Sequence, residues 1–145
     1  MFGKCVYKML DTDSKDYGML IIRWALAIFV FVHGAQKMFG WFGWNGYDAT
    51  MSWFTQSLGV PVFLAFLVIL WEVVAPIALV FGHKVRFAAF WILCILIWAV
   101  VLVHFKNGWF DFELHFLAIA MSLALIVRWW GAWSVDNIWK KWFLK

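Results

Sequence analysis

Four stretches of about twenty apolar residues, separated by short polar breaks, constrain this chain more than any other feature. They run from Tyr17 to Phe39, Pro61 to Phe81, Val85 to Phe105 and Phe112 to Trp130. A helix needs ~20 predominantly apolar residues to cross a bilayer. In lipid every backbone polar group must find its partner inside the protein, so runs of this length fold as helices. The composition leaves little alternative: 66% of the 145 residues are hydrophobic and 14% are charged. A soluble domain of this size has too much surface for its volume to hide that much apolar area. The expected fold is therefore all-α, a four-helix transmembrane bundle formed by one domain over residues 1–145, with helices at about 17–39, 61–81, 85–105 and 112–130.

The connections differ. Gly40 to Val60 is rich in Gly and Trp. There Asp48 is the candidate cap of a short interfacial helix that ends before Gly59, with Trp53 and Phe54 at the membrane boundary. Gly82, His83 and Lys84 make a minimal turn, and Lys106 to Asp111 contains an Asn-Gly turn signal. Both tails show amphipathic spacing. Phe2, Val6 and Met9 alternate with Lys4 and Lys8, and Ile138, Trp139, Trp142 and Phe143 alternate with Lys140, Lys141 and Lys145. They read either as helices lying on an anionic leaflet or as stop-transfer tails. The first apolar run follows a mixed-charge tail and is too long for a signal-peptide core, which argues against a cleaved leader.

Lys and Arg set the expected orientation. Four spans put both termini and the 82–84 turn on one side. That side carries Lys4, Lys8, Lys15, Arg23, Lys84, Arg86, Arg128, Lys140, Lys141 and Lys145, against Lys37 and Lys106 on the other. Ten against two places both termini in the cytoplasm of a bacterial inner membrane. The net charge of +4 then addresses the lipid surface, not nucleic acid.

Charge at bilayer depth costs at least ~2.5–3.5 kcal/mol on insertion scales, so the polar residues inside the runs carry the functional information. Glu72 lies about eleven residues into the second run, close to the midplane. It needs a partner from another helix or must be carried as the neutral acid. Pro76, four residues on, frees the carbonyl of Glu72 and favours a kink. His33 and Lys37 are one turn apart and share a face, and Gly34 permits close helix approach. For Lys37 the competing reading is snorkelling to outer headgroups. By depth, His33, Lys37, His104 and Glu113 gather on the outer side with Glu72 beneath them. Asn107 and His115 are nearby and are expected to be solvated. Arg23 and Arg128, at inner helix ends, are expected to snorkel to the cytoplasmic headgroups. Cys5 and Cys94 form no Cys-x-x-Cys, which argues against a thiol relay carried by this chain.

These residues resemble a known pattern. His33-Gly34-Ala35-Gln36-Lys37-Met38-Phe39-Gly40, Ser57-Leu58-Gly59-Val60-Pro61, Trp71-Glu72-Val73-Val74 and His104-Phe105-Lys106-Asn107-Gly108-Trp109-Phe110, followed by Glu113, are similar in order and spacing to the DoxX family of small four-helix membrane proteins. The run Phe110-Asp111-Phe112-Glu113 departs from the Gly and Tyr often found there in the family. The resemblance implies the four-helix fold and associates the chain with quinone-linked sulfur oxidation, as in a thiosulfate:quinone oxidoreductase, or with oxidant stress. The matching positions are His33, Lys37, Glu72, His104, Asn107 and Glu113.

The leading expectation is a quinone-associated redox subunit. Glu72, His33 and His104 would serve as its proton-handling groups, and Lys37, Asn107 and Glu113 would line its pocket. Electrons would come from a partner subunit or a soluble donor. Whether the chain is an enzyme by itself stays open. Haem ligation by His33 and His104 is a weaker alternative, because Lys37 and Glu113 would crowd the iron with charge. No other metal site is expected. A scaffold or small-molecule transporter is the non-enzymatic alternative, with a homodimer expected if it transports.

Overall fold

A computed structural model describes residues 16–43, 45–104, 113–128 and 133–135. Both amphipathic tails, the Asn-Gly turn and Asn107 lie outside the described residues. The described elements are helical: α1 (Tyr17–Phe39), α2 (Gly46–Ser52), α3 (Val62–Phe81), α4 (Val85–Ala99) and α5 (Glu113–Arg128). A short 3₁₀ turn, Trp41–Gly43, precedes α2. Two helices end in wider π-type turns: α2 continues through Trp53–Ser57 and α4 through Val100–His104.

Local chemistry sets the helix ends. Asp16 caps α1, its Oδ1 accepting from the Met19 N–H at 3.1 Å. Gly40 closes α1 in the left-handed conformation (φ 69°), its N–H donating to the Gln36 carbonyl. α3 begins directly after Pro61. It ends in a Schellman closure, with the Gly82 N–H bonded to Leu79 O at 3.0 Å and the His83 N–H to Ala78 O at 2.9 Å. The expected cap at Asp48 is corrected. Asn45 precedes α2, and Asp48 stands inside its first turn, where its charge still complements the helix dipole.

The four long helices close into a ring in which α1 packs on α3, α3 on α4, α4 on α5 and α5 back on α1. Small residues carry the seams. Ala27, Ala75, Ala88, Ala89 and Ala118 are buried among Leu26, Leu79, Ile92 and Leu125. Large apolar side chains face outward instead, including Ile21, Ile28, Phe63, Phe90 and Phe116. An apolar exterior around small-residue seams suits a lipid solvent, where close backbone packing replaces the hydrophobic effect between helices. Among the described residues three helices are long and apolar enough to cross a membrane: Tyr17–Phe39, Val62–Phe81 and Val85–Leu102. The described part of α5 adds 16 residues to the ring. Between α3 and α4 the indoles of Trp71 and Trp91 stack, 5.6 Å apart and 3° from parallel.

The end of the bundle at the α3–α4 turn overturns one expectation. Arg23 does not snorkel. It is fully buried, and its Nη2 donates to the Trp133 carbonyl at 2.8 Å. Ser134 donates its hydroxyl to the Gly82 carbonyl at 2.7 Å, and Arg86 Nε donates to Ile126 O at 2.7 Å. The Trp133 carbonyl offers the Arg23 guanidinium what headgroups would have offered, and the absent side chain of Gly82 leaves it room. Arg128 is exposed and lies 3.8 Å from Asp16, a contact worth little in water.

Gly82 is required twice over: its φ is +66°, and a Cβ there would sit 2.7 Å from Ser134 Cα and 2.8 Å from Arg23 Nη1. Gly82→Ala is therefore expected to lower the thermal midpoint in detergent by several degrees. Left-handed strain alone contributes ~1–2 kcal/mol, and the Arg23–Trp133 bond is displaced as well. An unchanged midpoint contradicts this account of the α3–α4 turn.

Candidate functional site

The site grows from a close crossing of α1 and α3. Pro76 has no N–H, so the carbonyl of Glu72 loses its intrahelical donor. α3 nevertheless runs unbroken through Val62–Phe81. The unclaimed carbonyl faces Gly34. A Cβ added to Gly34 would meet Glu72 O and would lie 2.6 Å from its carbonyl carbon and 3.1 Å from its Cβ. The Gly34 hydrogen pointing along that direction is thus aimed at the carbonyl, a Cα–H···O contact of the kind common where helices cross tightly.

This crossing brings Lys37, one turn along α1, to the carboxylate. Lys37 Nζ donates to Glu72 Oε1 at 2.6 Å. The Glu72 side chain is 5% exposed and that of Lys37 23%. The ammonium also lies 5.7 Å from the centre of the Phe54 ring, within cation–π range. Phe54 comes from the turn that prolongs α2, so the segment between α1 and α3 folds back over the pair. The other carboxylate oxygen, Oε2, is buried and meets no hydrogen-bond donor among the described residues. An ionised carboxylate is purely an acceptor, so this oxygen is open for a donor.

The remaining sequence candidates separate. His33 stands ~40° round α1 from Lys37 at 100° per residue and turns toward α5. Its ring lies 4.8 Å from Phe29, edge to face, and 6.1 Å from His115. Phe29 also meets His115 at 6.0 Å. The partner of His33 is thus His115, a residue expected to be solvated. It is instead half-buried in α5, on the stripe that continues through the buried Ala118, Ser122 and Leu125. That small-residue spacing was the available signal. Glu113 opens α5 and is exposed, with no described contact to Glu72. His104 ends the turn that follows α4, and its side chain lies outside the described residues, as does Asn107. Cys94 is a free, half-buried thiol. Below the crossing an apolar groove of about 280 Å³ runs between α1 and α3, lined by Ala27, Phe31, Pro76, Ile77 and Phe81 among others.

An apolar helical bundle that encloses a charged pair at the depth of its spanning helices defines a small multi-pass membrane protein. The chain belongs to the DoxX family, whose model matches residues 18–105, from α1 to just past the end of α4. It is similar to a Bacillus subtilis (strain 168) protein named "Putative oxidoreductase CatD", with 29% identity over 115 residues that cover 76% of this chain and 81% of that protein. No solved structure matches.

Breaking a buried ion pair by deleting one partner is costly, up to ~3–5 kcal/mol, whereas replacing both partners with apolar residues is often neutral. Lys37→Met and Glu72→Leu should each lower the thermal midpoint, by less than that limit because Lys37 keeps some exposure. The double variant should recover most of the loss. Additive destabilisation in this double-mutant cycle would show the two residues to be energetically independent.

Proposed function

We propose that this DoxX protein is a quinone-associated redox subunit of a bacterial inner membrane, with Lys37 and Glu72 as the head-group site. The observation that carries this reading is the buried Lys37–Glu72 pair with an open carboxylate oxygen. Structural ion pairs at membrane depth add little net stability, and ionisable groups there are functional by default. The residues fit a quinone. Lys37 has two further N–H protons to offer a ring oxygen, Phe54 supplies an aromatic wall, and the apolar groove one turn below Glu72 suits an isoprenoid tail. The oxidoreductase name of the Bacillus subtilis relative favours redox chemistry over the scaffold or transporter alternative.

A quinone, when bound, supplies two-electron, two-proton redox chemistry. The chain's part is to orient the ring and handle protons. Lys37 would donate a hydrogen bond to a ring oxygen, and Glu72 would accept or return a proton at Oε2. The His33–His115 pair beside the crossing is the candidate route by which that proton exchanges with the outer side. His104, Asn107 and Glu113 stay candidate pocket residues. Electrons enter from a partner subunit or soluble donor. Both termini face the cytoplasm, on the ten-to-two distribution of basic residues.

The thirteen tryptophans give a direct readout. Titrating a short-tailed benzoquinone into the protein in lipid nanodiscs should quench tryptophan fluorescence saturably. Lys37→Met should weaken binding on the order of tenfold, the loss expected for a charge-assisted hydrogen bond. Quenching that never saturates, in the wild-type protein, refutes the reading. The orientation has its own check: an alkaline phosphatase fusion at either terminus should be inactive, and activity there would reverse the topology.

A further inference from the structure

We infer that the Glu72 site selects a ligand that donates a hydrogen bond, so that within quinone-linked chemistry it holds the dihydroxy form, the quinol, in preference to the dicarbonyl form. The inference rests on the quinone reading above and adds to it which redox state the site prefers.

The argument begins with the two oxygens of one carboxylate. Oε1 is taken by Lys37 Nζ at 2.6 Å. Oε2 is buried and has no donor among the described residues. Burying an unmet carboxylate oxygen is unfavourable, and more so for a charged group than for a neutral one. Lipid cannot relieve it, because acyl chains carry no donors. Of its sequence neighbours, Val73 and Val74 carry no side-chain donor, and the Trp71 indole stacks on Trp91 without donating to Oε2. The donor that Oε2 lacks among the described residues is one that the hydroxyl or N–H of a ligand can supply.

A quinol and a quinone differ at this atom. A hydroxyl donates and accepts, so one hydroxyl oxygen can give its proton to Oε2 and receive one of the remaining Lys37 protons. A quinone carbonyl accepts only. It answers the lysine and turns its lone pairs toward Oε2, leaving that oxygen unmet. Ring size, apolar area and tail are the same for both forms, so contacts with Phe54 and the α1–α3 groove favour neither.

The test compares ligands that differ only in their O–H groups. Tetramethyl-1,4-benzoquinone, its hydroquinone and the dimethyl ether of that hydroquinone are titrated anaerobically by calorimetry into the protein in lipid nanodiscs. The hydroquinone should bind on the order of tenfold more tightly than the quinone, and the ether, which keeps the oxygens but lacks the protons, no better than the quinone. Glu72→Gln, checked for folding by its thermal midpoint, should bring the hydroquinone-to-quinone ratio close to one, since an amide both donates and accepts. If quinone and hydroquinone bind equally, or the quinone more tightly, the inference is overturned while the quinone reading survives. If none of the three binds, both fall. A hydroquinone preference that survives in Glu72→Gln removes Glu72 as its source. Should that variant fail to fold, the wild-type comparison with the ether decides: an ether that binds as tightly as the hydroquinone overturns the inference.

Discussion

The meeting of Gly34 with the backbone of Glu72 is the constraint on which the rest of the site depends. It fixes the separation of α1 and α3 at a value only glycine allows. It also gives a neighbour to the carbonyl that Pro76 leaves unclaimed. Because the backbones are this close, the long Lys37 side chain reaches the carboxylate with its ammonium still partly exposed. A wider crossing would strand the carboxylate in hydrocarbon, where it would lose either its charge or its place in the bundle. The ion pair is thus a consequence of helix geometry, and the geometry is a consequence of one missing side chain and one missing N–H.

Around that crossing the bundle divides its polar groups by location. Toward the C-terminal end of α1, Lys37, Glu72 and Phe54 form a compact charged site beneath the segment that links α1 to α3. Beside it, His33, Phe29 and His115 join α1 to α5 by ring contacts. At the opposite end, Arg23, Gly82, Trp133 and Ser134 bind side chain to backbone. The middle is held by alanines and branched aliphatics. The first of these holds a buried carboxylate oxygen that meets no donor among the described residues.

Much of the architecture was legible in the sequence, because a bilayer simplifies the problem. Apolar length sets each span, and Gly40, Pro61 and Gly82 punctuate the helices where the apolar pattern stops. The special character of Glu72, and the competence of Gly34 for close approach, followed from depth and residue type. Direction round each helix did not. Depth alone grouped His33 with His104 and set His115 aside, whereas rotation about α5 turns His115 inward onto His33. Arg23 was misread for a related reason. Its distance from the helix end fits snorkelling, and the alternative became visible only when a carbonyl 110 positions along the chain was brought to it. A rule about where a residue sits along the membrane normal says nothing about which neighbours arrive from elsewhere in the chain.

The bond from Arg23 to Trp133 has a bearing on how the molecule is made. α1 is the first of the long helices to leave the ribosome, and it carries a guanidinium whose acceptor is synthesised more than a hundred residues later. Until Trp133 is made, the acceptor that the folded bundle gives Arg23 Nη2 does not exist. That bond can therefore close only once the chain has been made through Trp133, and it ties the first long helix to the segment beyond the last.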